Sequence, residues 1–130
     1  MIVSNDIANI LYRDCKAFGI KIYPDGETPT GEVTEERVVI HAKAQTSGTY
    51  WKKGFVEVNI CVPDSSENSA NSVRLGELER EAQTILDDVV SSYDGSCYRY
   101  SINSIGREAD TALKCHYVNC RLLFEVLNVK

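Results

Sequence analysis

The chain lacks what a membrane protein or a nucleic-acid binder would need. No stretch approaches the roughly 18 consecutive apolar residues of a membrane span. The opening Met1-Ile2-Val3-Ser4-Asn5-Asp6 has neither a basic n-region nor an apolar h-region, so no secretory signal is expected. Lys and Arg number 14 against 19 Asp and Glu, a formal net charge of −5, and no basic run occurs. A general nucleic-acid binder would need the opposite surplus to displace phosphate counterions. Chemistry is equally thin. There is no P-loop, G-x-G-x-x-G, G-x-S-x-G or H-E-x-x-H pattern, and only two histidines, His41 and His116. Cysteines number five (Cys15, Cys61, Cys97, Cys115 and Cys120), an odd count at irregular spacing without a C-x-x-C pair. That pattern suits reduced thiols in the cytosol better than a disulfide framework.

What is present is an ordinary globular composition, 43% hydrophobic and 25% charged over 130 residues. That length fits a single domain with one core, since such a chain buries roughly two-thirds of the surface it exposes when unfolded. Ile7, Ile10, Leu11, Cys15 and Phe18 recur at steps of three and four, one face of a helix over Ser4–Phe18. Ser4 or Asn5 would cap it, Asp6 suits its positive end, and Gly19 would terminate it. Ile20-Lys21-Ile22-Tyr23 reads as a brief strand, and Pro24–Glu36, with two prolines, two glycines and five acids, as a solvated loop. Arg37–Ala44 and Trp51–Val62 alternate and form a hairpin around the polar turn Gln45–Thr49. A Ser/Asn-rich linker over Asp64–Asn71 precedes a second helix from about Val73 to Tyr93, capped by Ser72 and followed by Gly95. Leu75, Leu78, Ala82, Ile85, Leu86, Val89 and Val90 form its stripe, and Asp87 and Asp88 belong to its solvated side. Strands over Cys97–Ile105 and Cys115–Val129, joined by a turn at Gly106–Leu113, complete the order α-β-β-β-α-β-β. The fold class is α+β: a mostly antiparallel sheet with two helices packed on one face.

One side of each long strand is apolar and faces the helices. The other is mixed, with Arg37, Val39 and His41; Phe55, Glu57 and Asn59; Arg99 and Asn103; and Tyr117, Asn119, Arg121, Leu123 and Leu127. Such a face is either solvated or a subunit interface, because aromatic, Arg and aliphatic side chains mix in the same way at interfaces. The candidate contact residues are Arg37, His41, Tyr50, Trp51, Phe55, Glu57, Arg99, Tyr117 and Arg121. No catalytic, cofactor or metal site is expected. Neither histidine has an acidic neighbour along its strand, and strand alternation turns Cys115 away from His116 and Cys120, so these three do not converge on zinc. His116 falls on the inward face, as a hydrogen-bonded structural histidine would.

Three stretches carry a family resemblance. The first is the N-terminal helix leading into Ile20-Lys21-Ile22-Tyr23-Pro24, a Gly/Pro loop and Val38-Val39-Ile40. The second is Trp51-Lys52-Lys53-Gly54-Phe55-Val56-Glu57-Val58-Asn59-Ile60 after a floppy hairpin tip. The third is Pro63-Asp64, the linker, and Arg74-Leu75-Gly76-Glu77-Leu78-Glu79 opening a long helix. In this pattern the chain resembles the tail-terminator and tail-completion (neck) proteins of long-tailed bacteriophages and their prophage relatives. The resemblance implies a structural virion protein, assembled in the bacterial host cytoplasm, that forms a homo-oligomeric, hexameric ring on the end of the tail tube. The ring would stop tube polymerisation and join the head connector through a heterologous, closing interface. It implies no cofactor, no membrane and no specific nucleic-acid binding, although phage DNA would pass through the hole. If the acidic loop Pro24–Glu36 lined that hole, its carboxylates would repel the duplex.

Three other readings stay open. A head-closure or tube component would share the same physics. A small-molecule-binding or enzymatic α+β domain would place polar groups on the inward face, where His116, two thiols and the hydroxyls of Tyr98 and Tyr100 fall. An interaction module would accept a partner strand at a sheet edge near Asp64–Asn71 or Gly106.

Overall fold

The computed structural model of the chain describes residues 2–24, 26, 31–47, 51–66 and 69–127. Its elements are α1 (Ser4–Cys15), a 3-10 turn (Lys16–Phe18), β1 (Lys21–Tyr23), β2 (Arg37–Ser47), β3 (Trp51–Pro63), α2 (Ser72–Ile85), β4 (Val89–Tyr93), β5 (Ser96–Asp110) and β6 (Cys115–Leu127). The strands form one sheet in the order β1-β2-β3-β6-β5-β4. Only the short β1–β2 pair is parallel; the remaining pairs are antiparallel. The α+β class and the one-sided placement of the helices follow the sequence pattern. The described chain nevertheless holds six strands where five were read, in the order α-β-β-β-α-β-β-β.

The extra strand replaces the end of the second helix. After Leu86, Asp88 takes a left-handed φ of 54° and the chain turns into β4. Asp94 and Gly95 follow with φ of 49° and 79°, both in the left-handed region, and fold β4 against β5. An Asp-Gly pair adopts that two-residue hairpin turn readily, because its twist matches that of the flanking strands. Val89 and Val90 are therefore strand residues, and Asp87, read as helical solvated charge, accepts the Ile102 N–H at 2.9 Å.

Helix α1 buries Ile7, Ile10, Leu11 and Cys15, as their spacing requires. Its cap is Val3, not Ser4 or Asn5, and the Asp6 carboxylate accepts the Val3 N–H at 2.9 Å. Gly19 ends the following turn at φ 69°. Helix α2 buries Leu75, Leu78 and Ala82; its cap is Asn71 rather than Ser72, with the Asn71 side chain accepting the Arg74 N–H at 3.3 Å.

Both helices press on a single face of the sheet. Val38, Ile40, Val56, Val58, Ile60, Val118, Cys120, Leu122, Phe124 and Val126 meet the helix stripes in one buried cluster. Each side chain of this size stabilises the fold by about 1.5–3 kcal/mol when fully buried. Tyr98, Tyr100 and Phe124 stack within it, with ring centroids 5.3 Å (Tyr98–Phe124) and 5.4 Å (Tyr100–Phe124) apart. The tyrosine hydroxyls reach α1: Tyr98 accepts from Arg13 at 2.8 Å, and Tyr100 donates to Asp14 at 2.6 Å. These hydroxyls tie the helix to the sheet, and Tyr98 also borders a cavity of about 360 Å³ with Arg13, Asp14, Ile85 and Val89.

Two strands run further than their sequence suggests. Strand β2 continues to Ser47 across an irregularity between Ala42 and Gln45. Strand β5 passes through Gly106 to Asp110, with Asn103 as the extra residue of a bulge between Ile102 and Ser104. The turn read over Gly106–Leu113 is thus confined to Thr111–Lys114. Strand β4 pairs only with Ser96–Tyr100, so β5 beyond that point lies at the sheet margin. Among the described residues, no helix is long and apolar enough to cross a membrane.

Candidate functional site

Strand alternation places Arg37, Val39 and His41 on the face away from the helices, beside Phe55, Glu57, Asn59 and Cys61 of β3. Next to them come Cys115, Tyr117, Asn119, Arg121 and Leu123 of β6, then Arg99, Ser104 and Glu108 of β5. This is the mixed face that the alternation predicted, with Asn103 displaced into the bulge. It divides into a central patch and a covered end.

The central patch is open. The Arg121 guanidinium lies 3.8 Å from the centroid of the Phe55 ring, a cation–π stack. Glu57 is the register partner of both Arg121 and His41, and its carboxylate pairs with Lys43 at 3.2 Å. Asn119 donates to Asn59 across the strands at 2.7 Å. On the far side, Glu125 pairs with Arg99 at 3.2 Å and Lys53 at 3.5 Å, and the Arg99 hydrogen bond holds its carboxyl below the usual range. Arg99 therefore belongs to its own ion-pair group, apart from the Phe55–Arg121 stack. Trp51 enters β3 opposite Leu127. Tyr50 lies outside the described residues, as do Asp25 and Glu27 of the acidic loop.

The covered end was not legible beforehand. Val33 donates its N–H to the Leu113 carbonyl at 2.8 Å, tying the segment after the acidic loop to the β5–β6 turn. Val33, Val39, Cys61 and Cys115 form a second buried cluster beneath this strap, with Tyr23, Leu113 and Tyr117 packed against it. Arg37, expected at an exposed contact surface, is instead only 7% exposed. A cavity of about 140 Å³ opens here, lined by Arg37, Val39, His41, Asn59, Cys61, Asp110, Leu113, Cys115 and Tyr117. Burial pushes both thiols up, Cys115 to about 12, while Arg37 opposes the shift at Cys61. Such thiols stay protonated and are poor nucleophiles at neutral pH. Tyr117 is held up to about 12 by its hydrogen bond to Glu108 and by burial.

Two acids of the loop are already neutralised. Glu36 takes Arg74 in a two-point contact at 2.7 and 2.9 Å, and Glu32 pairs with Lys114 at 2.9 Å.

His116 has an acidic partner that its own strand did not reveal. Its Nδ1 lies 2.6 Å from Oδ1 of Asp64, the residue that follows β3. Pairing of Pro63 with Cys115 brings the two together, a proximity set by register and invisible in linear spacing. Asp64 borders a cavity of about 600 Å³, along with Glu32, Ser66, Thr111 and Lys114. Among the described residues, no group of three or more His, Cys, Asp or Glu side chains is placed to hold a metal ion. Cys120 sits in the helix-side core and Cys115 in the opposite cluster, as the alternation of β6 requires.

Compared with known proteins, the chain matches no family profile and no curated sequence.

Proposed function

We propose that the chain is a non-enzymatic structural protein of a bacteriophage or prophage tail, one that assembles with copies of itself into a ring at the end of the tail tube. In that role it stops tube growth and presents a surface to the head connector. The observation that carries this reading is the helix-free side of the sheet. Two helices satisfy one face completely, while the other keeps Phe55, Arg121, Leu123 and Tyr117 only partly covered or exposed. Arg and aromatic side chains are enriched at interface centres, where each contributes far more than its share of binding energy. A ring needs two different patches on each subunit. The central patch is open and the covered end lies under the Val33–Leu113 strap, so the two differ in relief, which supports a head-to-tail contact.

The test is sedimentation velocity over a concentration series, joined to negative-stain imaging of the same samples. Closed rings at high concentration are expected. A monomer throughout, with no rings on grids, overturns the proposal.

A second reading has one observation in its favour: the His116–Asp64 pair beside a cavity of about 600 Å³, an arrangement that could orient a general base. A ligand or activity lost on His116→Ala in a folded variant would favour a binding or catalytic domain.

A further inference from the structure

Arg37 is the anomaly of the open face. It is 7% exposed, and its Nε is buried without a hydrogen-bond partner. Among the described residues no carboxylate forms an ion pair with it, whereas Arg13, Lys43, Arg74 and Arg107 each have one. Asp110 lines the same cavity without forming an ion pair with Arg37; its Oδ1 accepts the Leu113 N–H at 3.2 Å. The contact that moderates this cation inside the chain is the Cys61 thiol, itself protonated because burial raises its pKa. A guanidinium withdrawn from water with an N–H left unbonded is costly, and Arg is the favoured residue where a carboxylate or phosphate is gripped at an interface.

The cavity beside Arg37 limits what can arrive. At about 140 Å³ it falls below the roughly 300–1,000 Å³ of metabolite and cofactor sites. It admits the end of one side chain. The chain itself carries 19 acidic against 14 basic residues, so a second copy brings carboxylates in surplus to a cation that forms no ion pair and leaves its Nε unbonded. We infer that the Arg37 cavity is a subunit socket, which receives a carboxylate side chain from a second copy of this chain. The guanidinium fork grips both oxygens, and the contact desolvates the pair further as the subunits close. This rests on the ring reading and specifies the chemistry of one of its two patches.

The experiment compares the full-length wild type with Arg37→Met and Arg37→Lys. Thermal melts are recorded at low concentration and sedimentation velocity over a concentration series. Because Met removes a buried charge while keeping volume, the Arg37→Met monomer is expected to melt no lower than wild type, yet to associate at least about tenfold more weakly. Arg37→Lys keeps the charge but loses the fork, and is expected to fall between the two. Sodium acetate, set against sodium chloride at equal ionic strength, competes for the socket. It should weaken assembly of the wild type and leave Arg37→Met unaffected. If Arg37→Met fails to fold, the acetate competition on the wild type decides alone. Equal assembly of wild type and a folded Arg37→Met sinks the socket and leaves the ring reading standing, and so does acetate acting no differently from chloride. A wild type that never assembles sinks both.

Discussion

Replacing Arg121 by Ala separates a surface kept for a partner from one that merely meets water. In the single chain the guanidinium rests on Phe55 at 3.8 Å and forms no ion pair among the described residues. Arg121 is exposed. An exposed cation–π contact is worth about 0.5–1 kcal/mol, which in a domain of this size lowers the melting temperature by no more than about 5 °C. At the centre of an interface the same truncation typically costs at least about 2 kcal/mol, roughly 30-fold in the dissociation constant. The reasoning thus predicts a small thermal shift together with a large loss of association, read by differential scanning calorimetry and sedimentation velocity on the same preparation. Phe55→Ala should behave alike, and the double variant should lose less than the two single losses added, because each residue braces the other. A folded Arg121→Ala that assembles as wild type does would refute the interface. A melting temperature lowered by ten degrees or more would refute the claim that the monomer hardly depends on this residue.

Other consequences are open to measurement. Phe124→Ala empties the centre of the Tyr98–Tyr100–Phe124 stack and should cost about 3–5 kcal/mol in urea denaturation. His116→Ala strips the 7%-exposed Asp64 carboxylate of its partner and should cost about 1–3 kcal/mol, with the fold retained. Thiol titration with a bulky disulfide reagent should modify Cys97 quickly, and Cys15, Cys61, Cys115 and Cys120 only on unfolding. Because burial raises the pKa of Cys15, Cys115 and Cys120 in the folded chain, above pH of about 8.5 the unfolded chain releases thiol protons that the native state retains. Stability should therefore be intact below that pH and fall as the solution becomes more alkaline, which urea midpoints between pH 7 and 10 would show.

The core was readable because it follows simple periods. Ile7, Ile10, Leu11 and Cys15 repeat with the helix, and Val56, Val58, Ile60 and Val62 with the strand; the structure buries all of them. The misreadings occur where two periods overlap or where register decides. Ile85, Leu86, Val89 and Val90 fit a helical stripe, but Asp94-Gly95 favours a hairpin and the chain follows the turn. Attention to that dipeptide would have revealed β4. Gly106 looks like a loop residue, since glycine weakens a strand, yet pairing with Asn119 holds it within β5. The His116–Asp64 contact and the Arg37 cavity unite residues distant in sequence. They depend on which strands become neighbours, and β6 inserts between β3 and β5, an order that no local pattern encodes.

The incomplete coverage of β5 has a consequence for how this chain behaves in crowded solution. Beyond Tyr100, β4 no longer runs alongside, so every second backbone amide and carbonyl from Ser104 to Ala109 has no strand partner among the described residues. Such a ribbon would template foreign strands and nucleate fibrils if it were flat and greasy. Here the Asn103 bulge twists its entrance, and Arg107 and Glu108 stud it with ions of opposite sign. Exchanging those two for valine and threonine would remove the Arg107–Glu79 and Glu108–Tyr117 contacts and turn a quiet border into an adhesive one.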